Sequence, residues 1–548
     1  MSPETHGGLA QRSIDSLPNE LVFEVFCAYD AAMAFDHDRH LSRKTDRCYR
    51  CHWAPLMLVC RRWRTLGIST PRLWQHIEVS DNLHWVELAL VRSRSLAIRL
   101  MFTDRFPLAE TLHFLTPHAG RIQALIYPIA FLPGRISRLE GLFKVALPTL
   151  HEIEVVDRSC TPMSPAYDLS VLGNVPLPAL RTLRLSSIYI PLQSRMLSNL
   201  HCLCLDGDVF HIKRIDHVEF LNILGGCVEL KELRLDRVLR HISEGTFPNR
   251  GIRLTFPHLR KLVVRDHTWI TSSFLSNLQL SQNVTLRVCL PWQGGLSHAL
   301  YTESLDSLLP SDRSGLPMLR TITTATIDCW HEFYVAIKAK NRDAKITLKI
   351  SGSMRDPGTF YLAEAQEQFR DLFAGAPLEH IELTGDLDLV PDIQYHLRFF
   401  AQYPELRSLR LSGCGSPNQL LRALGQSSSY VPTTFARWLA TFDSSTKSSD
   451  PLICPNLRSL TLEYSKWRRT TIDTLLVILR RRVEHGLPKL DELVLLARKE
   501  SPSQGLHETQ LWRVLGPHER ALFETLQSYA SEIKYALVDG LDLMAAAE

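Results

Sequence analysis

The densest grouping of reactive side chains in this 548-residue sequence is Cys48-Tyr-Arg-Cys51-His52. Cys-x-x-Cys-His is the spacing used for covalent c-type haem attachment, a chemistry of exported proteins. The same three side chains suit zinc, which takes four ligands, and His37 and His40 lie upstream in an unusual order for such a site. A third reading is an exposed basic loop with two free thiols. From Asp36 to Arg72 there are nine Lys/Arg against three Asp/Glu, a local excess suited to an acidic partner. The third reading is the one adopted, with no cofactor and no metal, and Cys48, Cys51 and His52 as the candidates for a metal site. Elsewhere no Gly-x-Ser-x-Gly, phosphate loop, His-Glu-x-x-His or framed carboxylate pair occurs, so an enzyme is not expected.

The totals narrow the class. Lys and Arg number 62 against 58 Asp and Glu, a net charge of +4. That balance argues against a dedicated nucleic-acid binder. The longest apolar run, Ala124–Leu132, is far shorter than the ~20 residues of a membrane span and contains Pro128. Twelve scattered cysteines and a polar first stretch lead us to expect free thiols in a reducing compartment, cytoplasmic and/or nuclear. A chain of this length needs at least two domains or an elongated array.

Two early segments must position whatever the N-terminal region does. In "SLPNELVFEVF" Pro18 suits a first helical turn and Glu20 favours the positive end of the helix dipole. Leu21, Val22, Val25, Phe26 and Tyr29 then fall at helical spacing. The second segment is expected to be one helix from Pro55, with Leu56, Val59, Cys60, Trp63 and Leu66 on one side and Arg61, Arg62 and Arg64 on the other. Pro71 ends it, and Leu73 and Trp74 follow as apolar anchors.

"LPNELVFEVF" followed by "LVCRRWRTLGISTPRLW" resembles an F-box, in the variant common in mushroom-forming fungi. The matching positions are Leu17, Pro18, Glu20, Leu21, Val25 and Phe26, then Leu58, Val59, Cys60, Arg62, Trp63, Leu73 and Trp74. The resemblance covers about residues 13–80. It implies an all-helical module that docks on a Skp-type adaptor and through it on a cullin ubiquitin ligase. The family usually joins the two halves by a short connection, whereas a polar insert at 30–53 intervenes here.

Most of the remaining chain repeats one phrase, leucine-x-x-leucine-x-leucine, usually after a proline. Its first leucines are Leu150, Leu180, Leu200, Leu230, Leu259, Leu319, Leu378, Leu406, Leu457 and Leu490. The gaps run 30, 20, 30, 29, 60, 59, 28, 51 and 33 residues. "NVTLRVCL" and "AKITLKI" fall about midway in the two longest. Each copy alternates apolar and polar like a half-buried strand, and helical stretches lie between several of them. The expected fold is α/β: the small helical module, then an irregular leucine-rich-repeat solenoid with a parallel sheet on its concave side and helices outside. The expected division is a flexible N-terminus at 1–12, the F-box at 13–80, the solenoid at 81–500 with a surface insertion at 415–452, and a helical cap at 501–548.

Residues between the leucines face away from the core. Arg184, Arg234, Arg265 and Arg410 are the candidates for binding a target on that face. Two readings stay open for the first, second and fourth: contact with an acidic or phosphorylated segment, or pairing with Asp and Glu on adjacent strands. The expected function is the substrate receptor of a Skp-cullin-F-box ubiquitin ligase, which binds a protein target and neither nucleic acid nor membrane. The alternative is a non-catalytic interaction scaffold unconnected with ubiquitination.

Overall fold

The computed structural model describes residues 17–40, 53–103, 108–129, 140–157, 167–168, 175–186, 188–189, 197–207, 216–242, 253–290, 304–330, 334–351, 361–387, 392–414, 416–426, 452–464, 469–498 and 524–538. The chain forms a mixed α/β fold and divides into two compact units, Met1–Arg234 and Leu235–Glu548.

The first unit begins with helix α1 (Asn19–His40), a 3₁₀ turn at Ala54–Leu58, helix α2 (Arg61–Ser69) and a second 3₁₀ turn at Pro71–Trp74. Two expectations change here. The polar insert does not start at residue 30 as a loop, because α1 runs on to His40. The second segment is not one helix: Cys60 is extended (φ −157°, ψ 171°) and separates the 3₁₀ turn from α2.

Strands β1 (His76–Val79), β2 (Ile98–Phe102), β3 (Ile122–Ile129), β4 (Glu152–Asp157), β5 (Tyr167–Asp168), β6 (Thr182–Ser186), β7 (Ile188–Tyr189) and β8 (Cys202–Asp206) follow. Helix α3 (Leu83–Arg92) connects the first two, capped by the Asn82 side chain accepting from the Trp85 amide. The main ladder β1–β2–β3–β4–β6–β8 is parallel throughout. Leu125 pairs with Ile153, Ile153 with Leu183 and Leu183 with Leu203, all buried. That register sends Glu154, Arg184 and Cys204 to the opposite face. Strand β9 (Glu232–Asp236) spans the division between the units.

The second unit contains β10 (Leu254–Thr255), β11 (Lys261–Arg265), β12 (Leu278–Gln279), β13 (Thr285–Leu290), β14 (Thr324–Trp330), β15 (Tyr334–Lys340), β16 (Lys345–Ser351), β17 (His380–Asp386), β18 (Ser408–Cys414), β19 (Ser459–Tyr464), β20 (Leu490–Arg498) and β21 (Ala530–Val538). Their spatial order departs from chain order. β13 pairs with β16, β16 and β15 are antiparallel, β15 and β14 are antiparallel, and β14 returns parallel to β17. An antiparallel meander thus interrupts an otherwise parallel ladder that continues β17–β18–β19–β20–β21. Its tight turn is built by Asn341, whose Oδ1 accepts from the amides of Asp343 and Ala344 at 2.8 and 2.6 Å.

The leucine positions of all ten copies are buried. At residue 319, however, the register differs from the sequence reading. Ala325 and Ile327, not Ile322 and Thr324, align with Ile381 and Leu383. The small Ala325 in the second slot led the leucine search to place that copy three residues too early. Helix Tyr361–Leu372 packs on helix Ile393–Ala401, which packs on helix Asn418–Leu424, which packs on helix Arg469–Glu484. Asn418–Leu424 buries Leu420, Leu421, Ala423 and Leu424, so the region expected as a surface insertion from 415 begins with a core helix. Residues 427–451 lie outside the described residues. The expected C-terminal helical cap is corrected in part: Ala530–Val538 is a strand parallel to β20, because Ile533, Tyr535 and Leu537 alternate with Glu532 and Lys534.

Candidate functional site

The N-terminal module is held by a chain of aromatic rings. Trp63 lies 5.6 Å from Phe26, Phe26 6.1 Å from Trp53, Trp53 5.0 Å from Trp74, and Trp74 5.1 Å from Trp85. Such tilted and edge-on pairs each add stability beyond their buried area. The Trp74 indole donates to the Gly67 carbonyl at 2.8 Å, and the Arg92 guanidinium sits 4.6 Å from the Trp74 ring centre. Gly67 is required where it stands. A Cβ there would lie 2.7 Å from Met57 Cγ and 3.4 Å from Phe26 Cε1, so only hydrogen lets α2 come this close.

Helix α1 has two apolar sides. Val22 and Phe26 are fully buried. Pro18, Leu21, Val25, Ala28 and Ala32 are exposed and recur at steps of three and four, which places them along one stripe. Leu21 is 51% exposed and Val25 38%. At the junction before α2, Leu58 is 74% exposed and Val59 54%. Cys60 and Leu17 are half-buried and Glu20 is exposed.

The F-box resemblance included Phe26, Trp63, Leu73 and Trp74 among the positions of the docking module. The structure places all four in the module's own interior, where they support the exposed stripe instead of forming it. Spacing identified the apolar residues but not which side of a two-faced helix each one takes. Arg62 is a second correction. It was assigned to the solvent side with Arg61 and Arg64, yet it is half-buried and clamps the start of α1. Its guanidinium donates to Asn19 Oδ1 at 2.8 and 3.2 Å and to the Leu17 carbonyl. The polar Asn19 at the helix start, opposite a run of arginines, was the available signal.

Cys48, Cys51 and His52 lie outside the described residues. Among the described residues, no group of three or more His, Cys, Asp or Glu is arranged to hold a metal ion.

The sheet faces carry the other candidates. Arg184 reaches Glu154 at 3.2 Å and Glu152 at 3.6 Å, and Glu152 also takes Arg99 at 2.6 Å. In the second unit Arg265 pairs with Asp236 at 3.3 Å. Arg410 bridges Glu382 at 3.3 Å and Glu463 at 2.6 Å. Arg234 is exposed on β9. Arg184 and Arg410 therefore have carboxylate partners on neighbouring strands, the second of the two readings, as Arg265 does, and the register explains the first two: Glu154 aligns with Arg184 and Glu382 with Arg410.

A packed aromatic interior with an exposed apolar stripe beside it has the form of a docking module. Comparison with protein families gives its kind: residues 14–80 match the F-box-like family model. F-box domains generally bind Skp-type adaptors, and proteins that carry them are typically non-catalytic. No curated protein matches the chain. No helix among the described residues is long and apolar enough to cross a membrane.

Proposed function

We propose that this chain is the substrate-recognition subunit of a Skp-cullin-F-box ubiquitin ligase, acting in the cytoplasm and/or nucleus. The F-box docks on the Skp-type adaptor through Pro18, Leu21, Val25, Leu58 and Val59. The remainder serves as a leucine-rich-repeat-like solenoid whose outward sheet face binds a protein target. The chain contributes no catalysis of its own; it holds a target near an enzyme and raises its effective concentration.

The observation that carries this reading is the exposed stripe. Leu21, Val25, Leu58 and Val59 remain open although Phe26, Trp63 and Trp74 beneath them are buried. Apolar side chains left out by a well-packed module fit a partner's surface. The test is affinity capture with the full chain and with Leu21→Asp/Leu58→Asp. The adaptor and cullin should be captured by the first and absent from the second, while co-purifying targets stay in both. Retention of the adaptor by the double variant would overturn the reading. Point variants are preferred to removal of residues 1–80, because Trp74 packs on Trp85 and its loss would open the core next to it.

A further inference from the structure

Two thiols meet on the outward face of the first unit. Strand β8 reads Cys202-Leu203-Cys204-Leu205-Asp206, and Leu203 and Leu205 take the core side. Cys202 and Cys204 therefore share the other face, two residues apart on one strand. Both are free thiols, and their Sγ atoms lie 3.7 Å apart. Cys202 is 8% exposed and Cys204 is half-buried, an opening suited to a solute little larger than water.

The neighbouring strand supplies a cation. Arg184 of β6 aligns with Cys204, and its guanidinium pairs with Glu154 at 3.2 Å while also bonding Cys202. The contact gives the two thiols different roles. The hydrogen bond from Cys204, and after it the charge of Arg184, draw Cys202 below the usual thiol range against the opposing effect of burial. Cys204, which donates that bond, is raised. Elsewhere burial pushes Cys227 up to about 11, and Cys329 and Cys454 up to about 12. The thiolate is the reactive form of a cysteine, so Cys202 is the better nucleophile and has a second thiol in contact with it.

We propose that Cys202 and Cys204 form a redox-modification site, a dithiol that hydrogen peroxide converts reversibly to a disulfide within one strand. The site goes beyond the proposed function and does not rest on it. In the first step the Cys202 thiolate attacks one peroxide oxygen. The O–O bond breaks, the sulfur is oxidised to a sulfenic acid, and the departing hydroxide takes a proton from solvent to become water. In the second step the Cys204 sulfur attacks the Cys202 sulfur. The S–S bond forms, the S–O bond breaks, and the Cys204 proton leaves with the hydroxide as a second water. A reducing dithiol returns both thiols by exchange. Residues two apart on a strand have Cα atoms about 6.6 Å apart, near the upper end of what a disulfide spans. Such a bridge is easily reduced, which suits a transient modification and not a permanent staple. Zinc is a poorer fit, because it takes four ligands and no group of three or more His, Cys, Asp or Glu among the described residues is arranged to hold a metal.

The test treats the full, reduced chain with hydrogen peroxide, then blocks the remaining thiols with N-ethylmaleimide in denaturant and analyses tryptic peptides by mass spectrometry. Cleavage releases residues 196–213, which hold Cys202 and Cys204 and no other cysteine. This peptide should appear unblocked and lighter by two hydrogens, while Cys227, Cys329 and Cys454 are recovered blocked. Dithiothreitol before blocking should return two maleimides to it. Cys204→Ser should abolish the bridge and leave a sulfenic acid on Cys202 that dimedone captures. Cys202→Ser should slow oxidation of this peptide about tenfold. Arg184→Met should slow it about threefold, and Arg184→Lys should restore the rate, which a purely structural role for the arginine would not predict. Urea unfolding of each variant identifies any that is not folded, and the rate comparison is then carried by the parent's own cysteines. Oxidation of Cys202 no faster than that of Cys227, sulfinic acid on Cys202 without a bridge, or bridges from either thiol to other cysteines would each overturn the site.

Discussion

Leu58→Ala separates docking from folding at a single side chain. Leu58 is 74% exposed, while Trp74, in the same module, is 1% exposed. Leucine to alanine removes three carbons, worth about 0.8 kcal/mol each when moved from water to an apolar contact, or about 2.4 kcal/mol together. An adaptor that covers the open part of Leu58 gains roughly three-quarters of this, about 1.8 kcal/mol, so the substitution should raise the dissociation constant about 20-fold. The remaining quarter, about 0.6 kcal/mol, is what the fold itself loses. Trp74→Ala reverses the proportions, because removing a buried Trp side chain costs about 3–5 kcal/mol of stability. The assay is calorimetric titration of purified adaptor into the full chain, alongside urea unfolding of each variant. The reasoning fails if Leu58→Ala leaves adaptor affinity within about twofold of the parent, since more than 1 kcal/mol is then unaccounted for. It also fails if Leu58→Ala destabilises the fold as much as Trp74→Ala does.

Three further outcomes are expected. Gly67→Ala should destabilise the N-terminal module by about 1–3 kcal/mol in urea unfolding, because the added Cβ meets Met57 and Phe26. Gly385→Ala should cost more, about 4 kcal/mol or outright insolubility, because φ there is +118° and a Cβ would fall 1.8 Å from the Cys329 carbonyl oxygen; Gly413 stands in register with it, and its Cβ would strike the Gly385 carbonyl in the same way. His396 is fully buried with Nδ1 2.9 Å from Gln366 Oε1, and burial pushes its pKa down to about 3. The unfolded chain takes up a proton at this residue below about pH 6.5 that the folded chain refuses until near 3, so stability is complete above that window and falls as pH drops through it. Unfolding free energies of the parent should decline between about pH 7 and pH 5 more steeply than those of His396→Gln.

The strands were legible because each leucine copy needs alternate residues on one side, and that demand acts within five or six residues. Where it was met by Leu, Ile or Val, as at Leu183, Leu233 or Leu460, the sequence located the strand and its buried side. It failed at Ala325, where a small residue fills the same column. It failed again at β15, since an antiparallel strand enters the sheet by a hairpin and carries no copy of the phrase. The segment around Ile533 reads as helix in isolation, and pairing with β20 turns it into strand, so tertiary context overrode local preference. In the N-terminal module the residue types were recognisable, but the division of α1 into a buried and an exposed side was not, because both sides are apolar.

Charge on the sheet shows the same limit in another form. Arg184, Arg265 and Arg410 were picked from the columns between leucines, and each has a carboxylate on a neighbouring strand. Around Thr347 a carboxylate also reaches across strands, from Asp328 of β14 to Lys338 of β15 at 2.5 Å. Lys338 sits on a strand that the repeat did not announce, and Arg287 is 60 residues from Thr347 in the chain yet aligned with it across one strand spacing. A column read down one repeat at a time finds arginines; only the lateral register tells which are neutralised. Exposed ion pairs contribute little to stability and little net field, since each charge is answered nearby.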